Sequence, residues 1–160
     1  MKEVKIEIKI DVFDDINALP EYASNLMFEA IEARKKAYAP YSNFHVGAAL
    51  LLSNGKIVVG SNQENASYPS GLCAERTAIY YAGAKYPDSV IKAMAITAAS
   101  SNEATKNPIP PCGACRQAIA EYEDRQNSSI EIFFMGETGS VARSHSLSNL
   151  LPFGFKSSML

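Results

Sequence analysis

Two short stretches hold every cysteine of the chain: Gly71-Leu72-Cys73-Ala74-Glu75-Arg76-Thr77 and Pro110-Pro111-Cys112-Gly113-Ala114-Cys115-Arg116-Gln117. A Cys-x-x-Cys pair at the start of a helix can turn both sulfurs toward one point, where the positive end of the helix lowers thiolate pKa values. Pro111 suits the position before such a turn, because it has no N–H to leave unpaired and its φ is preset. Cys73, opening a second helix, supplies a third thiolate in the same way. Zinc suits such a set, being soft enough for sulfur and taking four ligands. Structural zinc sites are closed by four protein ligands, whereas catalytic ones keep a position for water. A fourth protein ligand would have to be His45, His145 or a carboxylate. His45 lies inside a strand pattern and His145 in a polar Ser-His-Ser segment, so neither has ligand spacing. The count favours an open site.

Glu75 stands two residues after Cys73, and on a helix such positions point to different sides. It is therefore suited to reach past the metal toward water as a general acid and base, rather than to ligate. Three thiolates and Zn²⁺ sum to a charge of about −1, which weakens the metal as a Lewis acid. Arg76 can offset this by donating hydrogen bonds to sulfur. The same residues allow plainer readings. A Cys-x-x-Cys also serves as a redox pair or as half a structural zinc site, and Cys-Ala-Glu can be a buried cysteine in an alanine-rich helix. A structural-zinc interaction module, with no enzyme activity, predicts a closed metal and tolerance of Glu75→Gln.

The surrounding pattern predicts the elements that must place these groups. Val4 to Val12 alternates apolar and charged residues, a half-buried strand. Apolar residues every three or four positions after Pro20 predict a helix ending before Ala39-Pro40. Phe44 to Leu52 and Lys56 to Gly60, joined by Ser53-Asn54-Gly55, read as a hairpin. A polar loop over residues 61–72 then leads into a helix from Cys73 to about Gly83. A strand over 91–98, a proline-rich loop, a helix from Cys112 to about Tyr122, and strands over 130–135 and 141–142 follow. Ser146 caps one last helical turn. This alternation predicts helices packed against a mixed sheet, with loops leaving strands lining the ligand crevice.

The 160 residues fit a single domain, 1–160, in which 1–20 is an N-terminal extension. A net charge of −2 argues against nucleic acid as a partner, for no excess of cations exists to displace phosphate counterions. No apolar run reaches the roughly 18 residues of a membrane span, and the charged start does not read as a signal peptide. Three cysteines, an odd count, fit a reducing compartment, the cytoplasm.

The motifs together resemble the small, three-cysteine cytidine deaminases. The resemblance runs through Tyr41-Ser42-Asn43-Phe44-His45-Val46-Gly47, residues 62–78, residues 110–117 and the segment 150–155. Cys73-Ala74-Glu75 with Pro111-Cys112-Gly113-Ala114-Cys115 matches the general zinc-deaminase pattern. The resemblance implies a three-layer α/β/α sandwich around a mixed five-stranded sheet, with one Zn²⁺ per subunit held by Cys73, Cys112 and Cys115. It implies hydrolysis of cytidine and 2′-deoxycytidine to the uridine forms and ammonia, as in pyrimidine salvage, with Glu75 as proton shuttle and Arg76 supporting the thiolates. Asn62 and Glu64 would bind the ribose, Phe44 the base, and backbone near Ala66 and Cys73 the base edge. By the same similarity the enzyme is a homotetramer in which Tyr68 and Phe155, or Phe153 in its stead, reach a neighbouring subunit's pocket. Taken alone, Phe44 reads as core, and Asn62 and Glu64 as polar loop residues that cap the following helix. A relative acting on an antibiotic cytosine nucleoside is the alternative substrate class, from which the kept Asn62-Gln63-Glu64-Asn65 points away.

Overall fold

The computed structural model describes residues 1–160. Strand β1 (Ile10–Phe13) precedes helix α1 (Glu21–Arg34), and the hairpin β2 (Phe44–Leu52) and β3 (Ile57–Ser61) leads to α2 (Ala74–Lys85). Strand β4 (Ile91–Ser100), helix α3 (Gly113–Gln126) and strands β5 (Glu131–Met135) and β6 (Val141–Ser144) complete the order. The strands form one sheet in the order β1-β6-β5-β4-β2-β3. Only β4 and β5 run parallel; the α3 crossover joins them.

Period two divides each inner strand between two cores. Ala48, Leu50 and Leu52 of β2, Met94 and Ile96 of β4, and Ile132 and Phe134 of β5 face one side. There they meet Ala74, Ala78, Ile79 and Ala82 of α2 and Ile119 of α3. Ala49 of β2, Ala93 and Ala95 of β4, and Phe133 and Met135 of β5 face the other side, under Ala23, Leu26, Met27 and Ala30 of α1. Both faces of the central strands are covered, which is why they read as unbroken apolar runs. The result is a three-layer α/β/α sandwich with both cysteine-bearing helices in one layer.

The sheet has six strands, one more than expected. The sixth is β1, which pairs antiparallel with β6 from Ile10↔Ser144 to Phe13↔Val141. It is also shorter and later than the alternating pattern from Val4 predicts, because β6 ends at Ser144 and offers residues 4–9 no partner. Helix α1 stops at Arg34, short of the expected end before Ala39-Pro40. The chain is drawn out beyond it because Tyr38 N–H donates to the Asn62 carbonyl at 3.0 Å and Glu64 N–H to the Tyr38 carbonyl at 2.9 Å. Gly83 does not end α2; its missing side chain admits the Tyr122 ring of α3. The helix ends at Lys85, just ahead of Tyr86-Pro87. Helix α3 runs on to Gln126, where Asn127 takes the left-handed conformation at φ 49°. Ser146 does cap a short turn, its side chain accepting from Ser148 N–H.

One glycine sets how closely α2 approaches the sheet. A Cβ on Gly60 of β3 would lie 2.6 Å from both the Ala74 carbonyl oxygen and the Ala78 nitrogen of α2. Backbone cannot yield as a side chain can. Gly60→Ala is therefore expected to lift α2 from the sheet and lower stability by about 1–3 kcal/mol, the usual cost of overpacking. Urea denaturation measures it, and an unchanged midpoint would show that α2 is not held at this distance.

Candidate metal centre

The three cysteines meet where α2 and α3 begin. Cys73 and Cys112 are the N-cap residues of the two helices, both with extended backbone, and Cys115 lies in the first turn of α3. Thr77 N–H donates to the Cys73 carbonyl at 3.0 Å and Arg116 N–H to the Cys112 carbonyl at 2.9 Å, so each helix starts on its cysteine. Neither cap side chain is spent on its own helix. Both sulfurs are left to turn outward.

Sγ of Cys73 lies 3.9 Å from Sγ of Cys112, which lies 3.5 Å from Sγ of Cys115. All three sulfurs fall within 4.8 Å of one another. A disulfide needs about 2.05 Å, so these are free thiols. Tetrahedral zinc with Zn–S bonds of about 2.3 Å places its sulfurs about 3.8 Å apart. The observed spacing fits that ion. No histidine or carboxylate belongs to the group. His145 is at the opposite edge of the sheet, where Nε2 is 2.8 Å from the Asp11 carboxylate that also pairs with Arg143.

The charges around the sulfurs are consistent with a cation between them. The Arg76 guanidinium donates to Cys73 Sγ at 3.6 Å, while its Nε–H is buried without a partner. A hydrogen bond from Cys115, helped by Arg76, pulls the Cys73 thiol down to about 5. Cys115 is pushed far up, chiefly by its bond to the Cys73 thiolate and then by burial. Thiolates this close oppose each other's ionisation, and a divalent ion removes the conflict. Glu75 is only 4 % exposed, and burial raises its carboxyl above the usual range, with the Cys73 charge adding to the rise.

A cavity of about 470 Å³ opens beside Cys73, the one cysteine on its wall; Cys112, Cys115 and Glu75 do not line it. Asn62, Glu64, Tyr68, Cys73 and Arg76 line it together with Tyr41 and Ser42. Asn62 and Glu64 do not cap the following helix; they brace the entry to β2. Val46 N–H donates to Asn62 Oδ1 at 2.7 Å, and Asn62 Nδ2 donates to the Phe44 carbonyl at 2.9 Å. The Glu64 carboxylate accepts from the Ser42 hydroxyl and from Tyr41 N–H at 2.9 Å. The Ser42 bond, more than any other cause, holds it below the usual carboxylate range. Tyr68 stands at the rim, 75 % exposed, its ring centroid 5.9 Å from that of Tyr41. Phe44, Ala66 and Phe155 are not on the cavity wall. Phe44 is half-buried at the first position of β2, and Ala66 is exposed in the loop.

Two residues beyond the sequence candidates join the C-terminal segment to the metal helix. Arg116 donates from Nε to the Pro111 carbonyl and from Nη1 to the Leu150 carbonyl, both at 2.8 Å. Gln117 holds the Phe155 backbone twice, donating from Nε2 to its carbonyl at 2.8 Å and accepting from its N–H at 3.1 Å. Both residues directly follow Cys115, but no local spacing signals a partner over thirty positions away.

Residues 20–128 match the family model described as the cytidine and deoxycytidylate deaminase zinc-binding region. The chain belongs to this zinc-binding deaminase family. The match contains all three cysteines, Glu75 and Arg76. A cytidine deaminase of Halalkalibacterium halodurans is 43 % identical over 130 residues, covering 81 % of this chain and 91 % of the relative. One of Sporosarcina psychrophila is 42 % identical, with 81 % and 88 % covered. Among solved structures, cytidine deaminase from Burkholderia pseudomallei superposes with a TM-score of 0.71 at 39 % identity, over 86 % of this chain and all of that one. Family membership makes the protein a zinc-dependent deaminase, and the sulfur spacing fits zinc independently of the comparisons.

Proposed function

We propose that the protein hydrolyses cytidine and 2′-deoxycytidine to uridine and 2′-deoxyuridine, releasing one ammonia for each water consumed. The observation that carries this reading is the three-sulfur centre with the buried Glu75 next but one to Cys73, and Cys73 itself on the wall of a cavity bearing a carboxylate and an amide. Zinc held by Cys73, Cys112 and Cys115 supplies the Lewis acidity that makes water a nucleophile near neutral pH. Glu75 accepts a proton from the attacking water and gives it to ring N3. It later helps protonate the amine that leaves C4. Its burial keeps bulk water from competing for that proton, and its place in the first turn of α2 keeps it beside the sulfurs. Arg76 stabilises the Cys73 thiolate, so less negative charge opposes attack.

Asn62 and Glu64 are the proposed ribose contacts. Each retains hydrogen-bonding capacity beyond its bond to the β2 entry, and that bond fixes its direction. Phe44, Ala66 and the C-terminal Phe155 are assigned to the base by family similarity. A homotetramer, with Tyr68 and Phe155 meeting a neighbouring subunit's pocket, is part of the same proposal. The 75 % and 56 % exposure of these rings supports it. So does the Gln117 clamp, which presents the Phe155 segment from the metal helix. We further read residues 1–160 as one deaminase domain with an N-terminal extension. No helix is long and apolar enough to cross a membrane. A reducing cytoplasm suits the three free thiols.

The cavity also speaks to nucleoside against nucleotide. Its one cationic wall residue, Arg76, donates to Cys73, and Glu64 adds a negative charge. No other cation lines it to neutralise a phosphate. Cytidine and 2′-deoxycytidine are therefore expected to be turned over, with deoxycytidylate slower by about tenfold, because its phosphate would meet the Glu64 carboxylate with no cation to offset it. A cytosine-containing oligonucleotide should not react. Loss of cytosine ultraviolet absorbance measures all four, and equal rates for nucleoside and nucleotide would overturn the assignment.

A further inference from the structure

Residues 1–19 precede the span that matches the family model, and they carry a pattern the deaminase site does not use. Val4, Ile6, Ile8, Ile10 and Val12 alternate with Lys5, Glu7, Lys9 and Asp11. Only Ile10–Phe13 finds a partner, and β1 is the outermost strand of the sheet on that side. Val4, Ile6 and Ile8 remain 76, 45 and 55 % exposed. An edge segment that is apolar on one face is a template for another strand. Natural sheets usually blunt such an edge with proline or with charged side chains. This segment has no proline, and its charges alternate in sign along one face, so a suitably placed second strand can match them.

The charges point to the occupant. We propose that residues 3–9 form an interface between two copies of this chain, as an antiparallel strand pair whose two-fold axis passes through Ile6. In that register Ile6 faces Ile6 and Val4 faces Ile8 on one side of the ribbon. On the other side Lys5 faces Glu7 and Glu3 faces Lys9, and symmetry makes each pair occur twice. Moving the axis by one residue destroys the match. At Lys5 it sets Lys5 against itself and Glu3 against Glu7; at Glu7 it sets Glu7 against itself and Lys5 against Lys9. An axis at Ile8 would need Asp11 to pair with Lys5, but Asp11 already accepts from Arg143 at 2.5 Å and lies 2.8 Å from His145 Nε2. Only the axis at Ile6 gives each of Glu3, Lys5, Glu7 and Lys9 an unshared opposite charge. Within one chain the segment's sole ion pair is Lys5–Glu7 at 3.5 Å, with both side chains more than four-fifths exposed. Such a contact holds little by itself.

Complementarity of this kind belongs to a homotypic pair, which makes it testable by charge exchange in the full chain. Wild-type protein in sedimentation or light-scattering measurements should reach twice the particle mass of Lys5→Glu or Glu7→Lys at the same concentration. Each single change sets like charges opposite one another at two symmetry-related positions and should raise the dissociation constant about tenfold or more. The double exchange K5E/E7K restores opposite signs at both positions, so the wild-type mass should return. Cytidine turnover should be unchanged in all three variants, since these side chains are exposed and remote from the cysteines, and this serves as the folding control. Where the remainder of the chain already forms the homotetramer proposed above, the strand pair joins one tetramer to another, and the wild type should then have at least twice the mass of the single variants. Equal masses for wild type and both single variants, or a double variant that stays at half the mass, would overturn the proposal.

Discussion

Glu75→Gln should leave a folded, zinc-loaded protein that deaminates cytidine roughly 10²- to 10⁴-fold more slowly, the range expected when a positioned acid and base is lost. The substitution keeps the shape and two of the hydrogen-bonding functions of the side chain. What it removes is the ability to carry a proton. Glu75 is nearly fully buried and forms no ion pair, so removing its charge also removes a desolvation cost. The variant should therefore melt no earlier than wild type. This separates chemistry from scaffolding: a merely structural acidic residue would show its loss in stability, while a proton shuttle shows it in turnover alone. Zinc analysis, a thermal melt and the cytidine absorbance assay on one preparation make the comparison. Near-wild-type turnover would remove Glu75 from the mechanism.

The cysteine cluster was legible because its signal is local. Two cysteines three positions apart, after a proline and at a helix start, converge under almost any helix geometry. Cys73 required only that a second helix begin at the same place. The layers were legible for a different reason: period two within apolar runs such as Phe44–Leu52 already assigns alternate residues to two faces. What the pattern did not contain was any limit set by a distant partner. The alternation from Val4 onward is uniform, yet pairing begins only at Ile10 because β6 ends at Ser144. Gly83 looks like a helix end by type but is a seat for Tyr122.

The cavity wall shows the same division. Asn62 and Glu64 were identifiable as polar loop residues with chemistry to offer. Their bonds to the β2 entry at Phe44, Val46, Tyr41 and Ser42 depend on a turn that the linear order does not disclose. Arg116 and Gln117 are the stronger case. They tie Leu150 and Phe155 to the helix that carries two of the sulfurs, so the C-terminal segment and the metal centre are mechanically one unit. Long-range hydrogen bonds of this kind leave no periodicity behind.

Removing the metal should abolish turnover without unfolding the chain, and the reason lies in how the sulfurs are distributed. Cys73 belongs to α2, while Cys112 and Cys115 belong to α3, so an ion bound to all three cross-links two helices that otherwise meet through few side chains. The cores of 17 and 11 buried residues persist without it. Zinc at about 1,000 times its dissociation constant contributes about 4 kcal/mol, which for a chain of this size corresponds to a melting shift on the order of 10 °C. Chelation should therefore lower the melting temperature by about that amount, and added zinc should restore both stability and activity. Acid acts in the same direction, because each ligand must be a thiolate to bind and protonation competes with the metal as pH falls. Cys115→Ser should reproduce the chelated state and resist rescue, since this fully buried position exchanges a thiolate for a hydroxyl that does not ionise near neutral pH. Turnover that survives in verified metal-free protein would contradict the role of the sulfur centre, however well its spacing fits the ion.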